Sequence, residues 1–233
     1  MARPRNPLLS RERIVAAALE LVDTEGLTAL STRRLAAVLG VSGPSLYNHF
    51  ATKEQLMDAV VDEVVGEVDL SMWESVDTDG WAGPVTAWAR SYRAALVAHP
   101  NLVPVLAQGP GRRANSLRLA DAVFGGLVDA GWARGDATRI GALMRYFVYG
   151  SALGSFAGGF VDDQEIYAAE YPHLGQAHLL AEHRRSVDEG AFETGLTALV
   201  EGLSRQYPHP RRPTPGPSAA PSAAPPTGPR PRP

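Results

Sequence analysis

Residues Ser31 to Lys53 read STRRLAAVLGVSGPSLYNHFATK. Their spacing predicts two short helices joined by a tight turn, ahead of a longer helix. A hydroxyl at Ser31 or Thr32 is placed to accept a bond from an otherwise unpaired amide of the first helical turn. Leu35, Val38 and Leu39 fall three to four residues apart and predict one apolar face. Gly40 ends the helix, because glycine takes the left-handed backbone conformation at little cost, and Val41 fills the corner. Ser42 stands where the second helix needs its cap, with Pro44 in the first turn, where a missing N–H costs nothing. Leu46 and Phe50 anchor that helix from below. The opposite face carries Gly43, Ser45, Asn48 and His49, all small or polar, and is shaped to lie against something other than its own core.

Local charge identifies that something. Gly26 to Lys53 holds no Asp or Glu but includes Arg33, Arg34 and Lys53, whereas Glu54 to Ala89 holds nine acids and no Lys or Arg. The formal net charge of the chain is only −3, so the bulk balance says nothing about a polyanion; a local potential steers partners, and here it is positive beside the turn. Lys53, the single lysine, follows Thr52 at the start of the next helix, where free amides and the helix dipole also favour phosphate. Joined to the helix–turn–helix spacing, these features predict DNA binding.

The run IVAAALELVDTEGLTALSTRRLAAVLGVSGPSLYNHFATKEQLMDAVV, Ile14 to Val61, resembles the DNA-binding domain of the tetracycline-repressor (TetR) family of bacterial transcription regulators, together with the start of its connecting helix. The tightest part is LA-x3-GVS-x2-SLY-x-HF-x2-K-x2-L, Leu35 to Leu56. FETGLTALVEGL, Phe192 to Leu203, resembles the closing helix of the family's C-terminal domain. The resemblance implies a DNA-binding homodimer, a lever helix between reader and sensor, and release by a small-molecule effector. Thr32 and Arg33 match family positions that contact DNA, and Lys53 matches a phosphate contact. In this reading Ser42 to Ser45 approach the duplex, with Pro44 against a thymine methyl and Ser45 and Asn48 at base edges or phosphates; Tyr47 and His49 hold phosphates. One such helix makes too few contacts for a specific site, so two, about 34–36 Å apart, predict a roughly palindromic operator.

Outward from this stretch the whole chain reads as all-α. Residues 1–9 form a flexible arm, with Arg3 and Arg5 as optional phosphate contacts. The DNA-binding domain spans 10–56, opening with a helix from Ser10 to Thr24 whose face is Ile14, Ala17, Leu21 and Val22. A linker helix follows over 52–70, and a helical effector-binding and dimerisation domain over 71–207. Within it, helices are expected at Pro84–His99, Ala114–Ala130, Asp136–Phe160, Leu174–Val187 and Ala191–Gln206. Residues 208–233 hold eleven prolines and four arginines and are expected to be a disordered tail.

Two sets of residues are candidates for function in the larger domain. Gly150, Gly154 and Gly158 recur every four residues, each costing about 1 kcal/mol of helix propensity against Ala, which asks for close helix approach or for a ligand pressed on the backbone. With Phe192, Leu196, Leu199, Val200 and Leu203 they are the dimer candidates, two helices from each subunit making a four-helix bundle. Trp88, Tyr92, Phe124, Met144, Phe147 and Phe156, with Asn101, Gln108, Arg145 and Tyr149 as polar anchors, are the candidates for an effector pocket.

Composition excludes several classes. There is no cysteine, hence no disulfide framework and no thiolate site. No apolar run suggests a signal peptide or a membrane span, so a cytoplasmic, nucleoid-associated protein is expected. No G-x-S-x-G, H-E-x-x-H or Walker loop occurs, so no enzyme is expected; the loop cluster Asp162, Asp163, Glu165 and His173 is explained by solvation. No cofactor or metal is expected either: Asp69 and Leu106 fall near the places where the family resemblance would need histidines for a metal–drug complex. Repression is expected over activation, since a dimer on a promoter blocks polymerase without further contacts; the alternative is a DNA-binding regulator controlled by a protein partner or by none, with an activator role open to it.

Overall fold

The computed structural model describes residues 9–74, 80–107, 112–168 and 171–207. Helix α1, Arg11–Glu25, is capped by Ser10, whose hydroxyl accepts the Arg13 amide at 3.2 Å. Helix α2, Thr32–Leu39, is capped by Ser31 through the Arg34 amide, and Gly40 ends it in the left-handed region at φ 67°. Helix α3, Gly43–Tyr47, is short. Its expected cap differs: the Ser42 hydroxyl makes no bond to a helix amide and instead pairs with the Ser45 hydroxyl at 2.7 Å. Helix α4, Lys53–Gly66, is capped by Thr52, which accepts the Gln55 amide while the Gln55 side chain accepts from Ala51. That reciprocal pair fixes the start of α4.

Leu35, Leu46 and Phe50 are buried against Ile14, Ala18 and Val22 of α1 and against the α4 stripe of Leu56, Val60, Val61 and Val64. Val38 does not join them: it is 50% exposed. Val38 lies three residues beyond Leu35, and in this eight-residue helix the core is reached by Leu35 and Ala36 instead.

The larger part contains α5, Ala82–Ala98; α6, Val103–Leu106; α7, Ala114–Asp129; α8, Arg134–Ala152; α9, Gln164–Ala168; and α10, Arg184–Ser204. Helix α5 packs on α8 and α10, and α7 packs on α4 and α8. The buried residues form one continuous core from Ile14 to Leu203. Trp81, Trp132 and Tyr207 close one end, with Trp81 edge-on to Trp132 at 5.4 Å and Tyr207 at 5.2 Å from Trp132. The Tyr207 hydroxyl donates to the Ala130 carbonyl and pins the chain after α10 to the α7–α8 turn.

Two expected helices are redrawn. The run expected to continue to Phe160 stops at Ala152, and Gly154 and Gly158 lie beyond the helix. The propensity cost of closely spaced glycines prevails there: Leu153 and Phe156 are exposed, and the segment packs on α10 through a short turn in which Ala157 is buried rather than through a continued helix. Leu174 to Val187 is not one helix either. It holds short 3-10 turns at Pro172–Leu174 and Ala177–Leu179, and α10 begins at Arg184. The N-terminal arm and the Pro-rich tail lie outside the described residues, apart from Leu9.

Candidate DNA-reading face and effector cavity

Helix α3 is held from behind by Leu46, with Phe50 just past it, and from the side by α1. The Arg11 guanidinium stacks 4.0 Å from the Phe50 ring centre and donates to the His49 carbonyl. This brace was not expected from the sequence; its signal was an arginine at the first position of α1, one helix away from the turn it supports. Pro44, Tyr47 and Asn48 are exposed, Gly43, Ser45 and His49 half-buried. Arg33 and Lys53 are exposed, and Thr32 is half-buried in the first turn of α2. Ser42 is exposed with its hydroxyl on Ser45. The ten sequence candidates therefore cluster around α3 and the two helix starts beside it. Arg34 is turned away, paired with Glu25 of α1 at 2.5 Å.

A cavity of about 210 Å³ opens between α4, α5, α7 and α8. Trp88 and Tyr92 come from α5, Phe124 from α7, and Arg145 and Tyr149 from α8. Val65 near the end of α4 forms part of the wall, as does Leu106. The Tyr92 and Tyr149 hydroxyls share a 2.6 Å hydrogen bond, and burial, followed by the neighbouring Tyr149, pushes the Tyr92 phenol well above its ordinary range. The Arg145 guanidinium lies 4.8 Å from the Tyr149 ring centre and donates to the Leu106 carbonyl at 3.1 Å. Phe124 is held out over Gly141, where a Cβ would meet the ring at 2.3 Å.

The other pocket candidates are elsewhere. Met144 is fully buried in the core without lining the cavity. Phe147 stacks on Phe192 at 5.2 Å, on the side of α8 that faces α10. Phe156 is 72% exposed, edge-on to Phe160. Asn101 donates to the Val22 and Asp23 carbonyls, satisfying the end of α1 rather than a ligand. Gln108 lies outside the described residues.

The dimer candidates divide as well. Phe192, Leu196 and Leu203 are buried in the chain's own core, because α10 packs on α5 and Phe147 covers Phe192. Leu199 and Val200 are half-buried and Gly150 is exposed. A shallow groove between α8 and α10 is bordered by Gly150, Gly154 and Phe156.

The acids of α4 have a role that the sequence reading missed. Asp62 accepts the amides of Asn115 and Ser116, each at 3.1 Å, and its carbonyl accepts the Asn115 side chain at 2.8 Å. Asp58 pairs with Arg113 at 2.9 Å. The lever helix is thus fastened to the start of α7, whose free amides attract a carboxylate. His99, after α5, lies between Asp23 of α1 at 2.8 Å and Glu67 after α4 at 3.1 Å. The available signals were the run Arg113-Ala114-Asn115-Ser116 opening a helix and the pair His99-Pro100 closing one.

The family model for bacterial regulatory proteins of the tetR family matches residues 14–60, and that for the tetracyclin repressor-like C-terminal domain matches residues 75–207. The chain belongs to the TetR family. It is 32% identical over 205 residues to the class A tetracycline repressor protein from transposon 1721 of Escherichia coli, covering 85% of this chain and 92% of that protein. Among solved structures, a possible TetR family transcriptional regulator from Streptomyces coelicolor A3(2) superposes with a TM-score of 0.70 at 32% identity, covering 85% of this chain and all of the other. The Streptomyces coelicolor TetR family protein ActR, solved in complex with actinorhodin, gives a TM-score of 0.67 at 30% identity over 85% of this chain and 98% of its own. The helix–turn–helix around α3 is the DNA-binding element of a TetR family transcriptional regulator. No helix among the described residues is long and apolar enough to cross a membrane.

Proposed function

We propose that this TetR family regulator is a homodimeric repressor that sits on a roughly palindromic operator and is released by a small molecule bound in the cavity between α4, α5, α7 and α8. One observation carries this reading: α4 belongs to both halves of the molecule. Its first turn follows α3 directly, its Val65 walls the cavity, and its Asp58 and Asp62 hold the start of α7. An effector that displaces α7 or Val65 moves the helix from which the reader hangs. Ligand binding then shifts the population between DNA-competent and released forms by its differential affinity for the two.

At the operator, α3 enters the major groove. Pro44 and Gly43 permit close approach, Ser45 and Asn48 reach base edges or phosphates, and Thr32, Arg33, Ser42, Tyr47, His49 and Lys53 fix the register on phosphates. The second subunit docks through the groove flanked by Gly150, Gly154 and Phe156 and through the half-buried Leu199 and Val200. The protein works at the nucleoid, in the cytoplasm. Fluorescence anisotropy of a duplex from upstream of the protein's own gene tests the reading. A compound that raises the melting temperature should also release the duplex; a stabilising compound that fills the cavity and leaves DNA affinity unchanged contradicts it.

A further inference from the structure

The polar groups around the cavity are unbalanced. Its lining includes two arginines, three tyrosines and a tryptophan, but no Asp, Glu or His. Arg113 is paired with Asp58 outside the cavity. Arg145 is different: its bonds run to a neutral carbonyl and its face to a neutral ring, and no carboxylate pairs with it among the described residues. A half-buried guanidinium facing an apolar space leaves its charge uncompensated until an anion arrives.

A second donor is idle. Trp88 lines the same cavity and is 2% exposed; like those of Trp73 and Trp132, its indole nitrogen has no hydrogen-bond partner among the described residues, and of the three Trp88 alone borders this space. Buried N–H groups are rarely left without an acceptor. The Tyr92–Tyr149 hydroxyl pair stands beside Arg145. The hydroxyls of Tyr92, Tyr149 and Ser116 can accept as well as donate, but Arg145 and the Trp88 indole can only donate, so an occupant that meets those two must bring oxygens.

The remaining walls set its shape. Trp88, Tyr92, Phe124 and Tyr149 supply ring faces, while Leu119 and Val123 supply aliphatic surface. An apolar cavity of roughly 150 Å³ holds benzene, so about 210 Å³ suits a fused two-ring system. Tyr146, 71% exposed, stands at the rim, where a larger ligand would extend.

We propose that the effector is an aromatic organic anion: a flat ring system between Trp88, Phe124 and Tyr149, whose carboxylate or acidic hydroxyl oxygen is held by Arg145 and whose further oxygen accepts from the Trp88 indole. This rests on the effector reading above and narrows it to a charge and a shape.

The probes are 2-naphthoate and its neutral counterpart 2-naphthamide, titrated calorimetrically into the full chain and into Arg145→Gln and Arg145→Lys. Wild type should bind the anion at least about tenfold more tightly than the amide, the order expected for one charge-assisted hydrogen bond. R145Q should bring the two affinities within about twofold by weakening the anion alone, and R145K should restore part of the preference. Equal or tighter binding of the amide by wild type overturns the proposal while leaving the effector reading intact. A preference that persists in R145Q also overturns it. Binding of neither probe overturns it as well; the effector reading then stands or falls on operator release by other compounds. Should R145Q fail to fold, the wild-type pair decides.

Discussion

The Asp62 carboxylate of α4 accepts the backbone amide of Ser116 in the first turn of α7 at 3.1 Å, so the lever helix supplies the cap that α7 lacks in its own sequence. The bond ties the cavity wall to the helix carrying the reader. Replacing Asp62 by Ala removes this cap and should destabilise the fold by about 1 kcal/mol. The more telling effect is on coupling. Ligand binding should persist in D62A while the ligand-induced loss of operator affinity shrinks severalfold, read by anisotropy with and without a saturating stabilising compound.

His99 joins Asp23 of α1 to Glu67 after α4, and Asn101 adds two bonds to the end of α1. These contacts hold the reader's orientation against the larger part. H99A and N101A should each lower operator affinity without touching a DNA-facing residue, and a cycle with the double variant should show them to be non-additive. Duplex titration measures this, with thermal melting as the control for folding.

Gly141 leaves room for Phe124, since a Cβ there would sit 2.3 Å from the ring. G141A should drive the ring off its position and weaken any ligand that stacks on Phe124, while global stability changes by no more than about 1 kcal/mol, because the ring is 37% exposed and alanine favours the helix by about that amount. Differential scanning calorimetry and ligand titration report the two effects separately.

Mg-tetracycline should neither stabilise the protein nor release its operator. Asp69 is exposed, and its carboxylate accepts the Ser71 amide at 2.9 Å, a bond that holds its carboxyl below the ordinary range. Leu106 is an apolar wall of the cavity. Neither position offers a histidine, and a thermal-shift titration with the metal–drug complex checks the expectation.

On the DNA side, Arg33→Ala and Lys53→Ala should weaken binding about equally across sequences and each reduce the slope of log affinity against log salt by about 1. Asn48→Ala should instead relax discrimination at one base position. Salt-dependent titrations on operator and scrambled duplexes separate the two classes.

The reader was legible because its signals are local. Ser31, Gly40 and Thr52 mark helix ends, and Leu35, Leu46 and Phe50 mark one core face. Val38 misled because periodicity alone cannot say which of two residues, Ala36 or Val38, on either side of Ala37, meets the neighbouring helix. In the larger part, Trp88, Tyr92, Phe124, Arg145 and Tyr149 do meet around one space. Phe147 and Phe192 show what was hidden: stacked rings satisfy each other within one chain, and a stripe suited to a partner helix is also suited to the chain's own core. Asn101 and His99 were not readable at all, since their partners lie 32 to 79 residues away. The glycine run past Ala152 was misread because the segment packs on α10 through a short turn at Ala157 instead of continuing the helix, and that contact is not visible in the local spacing.

The most direct measurement is a stoichiometric and salt-dependent titration of the full chain onto a duplex from upstream of its own gene. Two chains should bind each palindromic site, with affinity falling steeply as salt rises. A single chain per site, or an affinity indifferent to salt, would contradict a twinned reader presenting Pro44 to His49 to the groove.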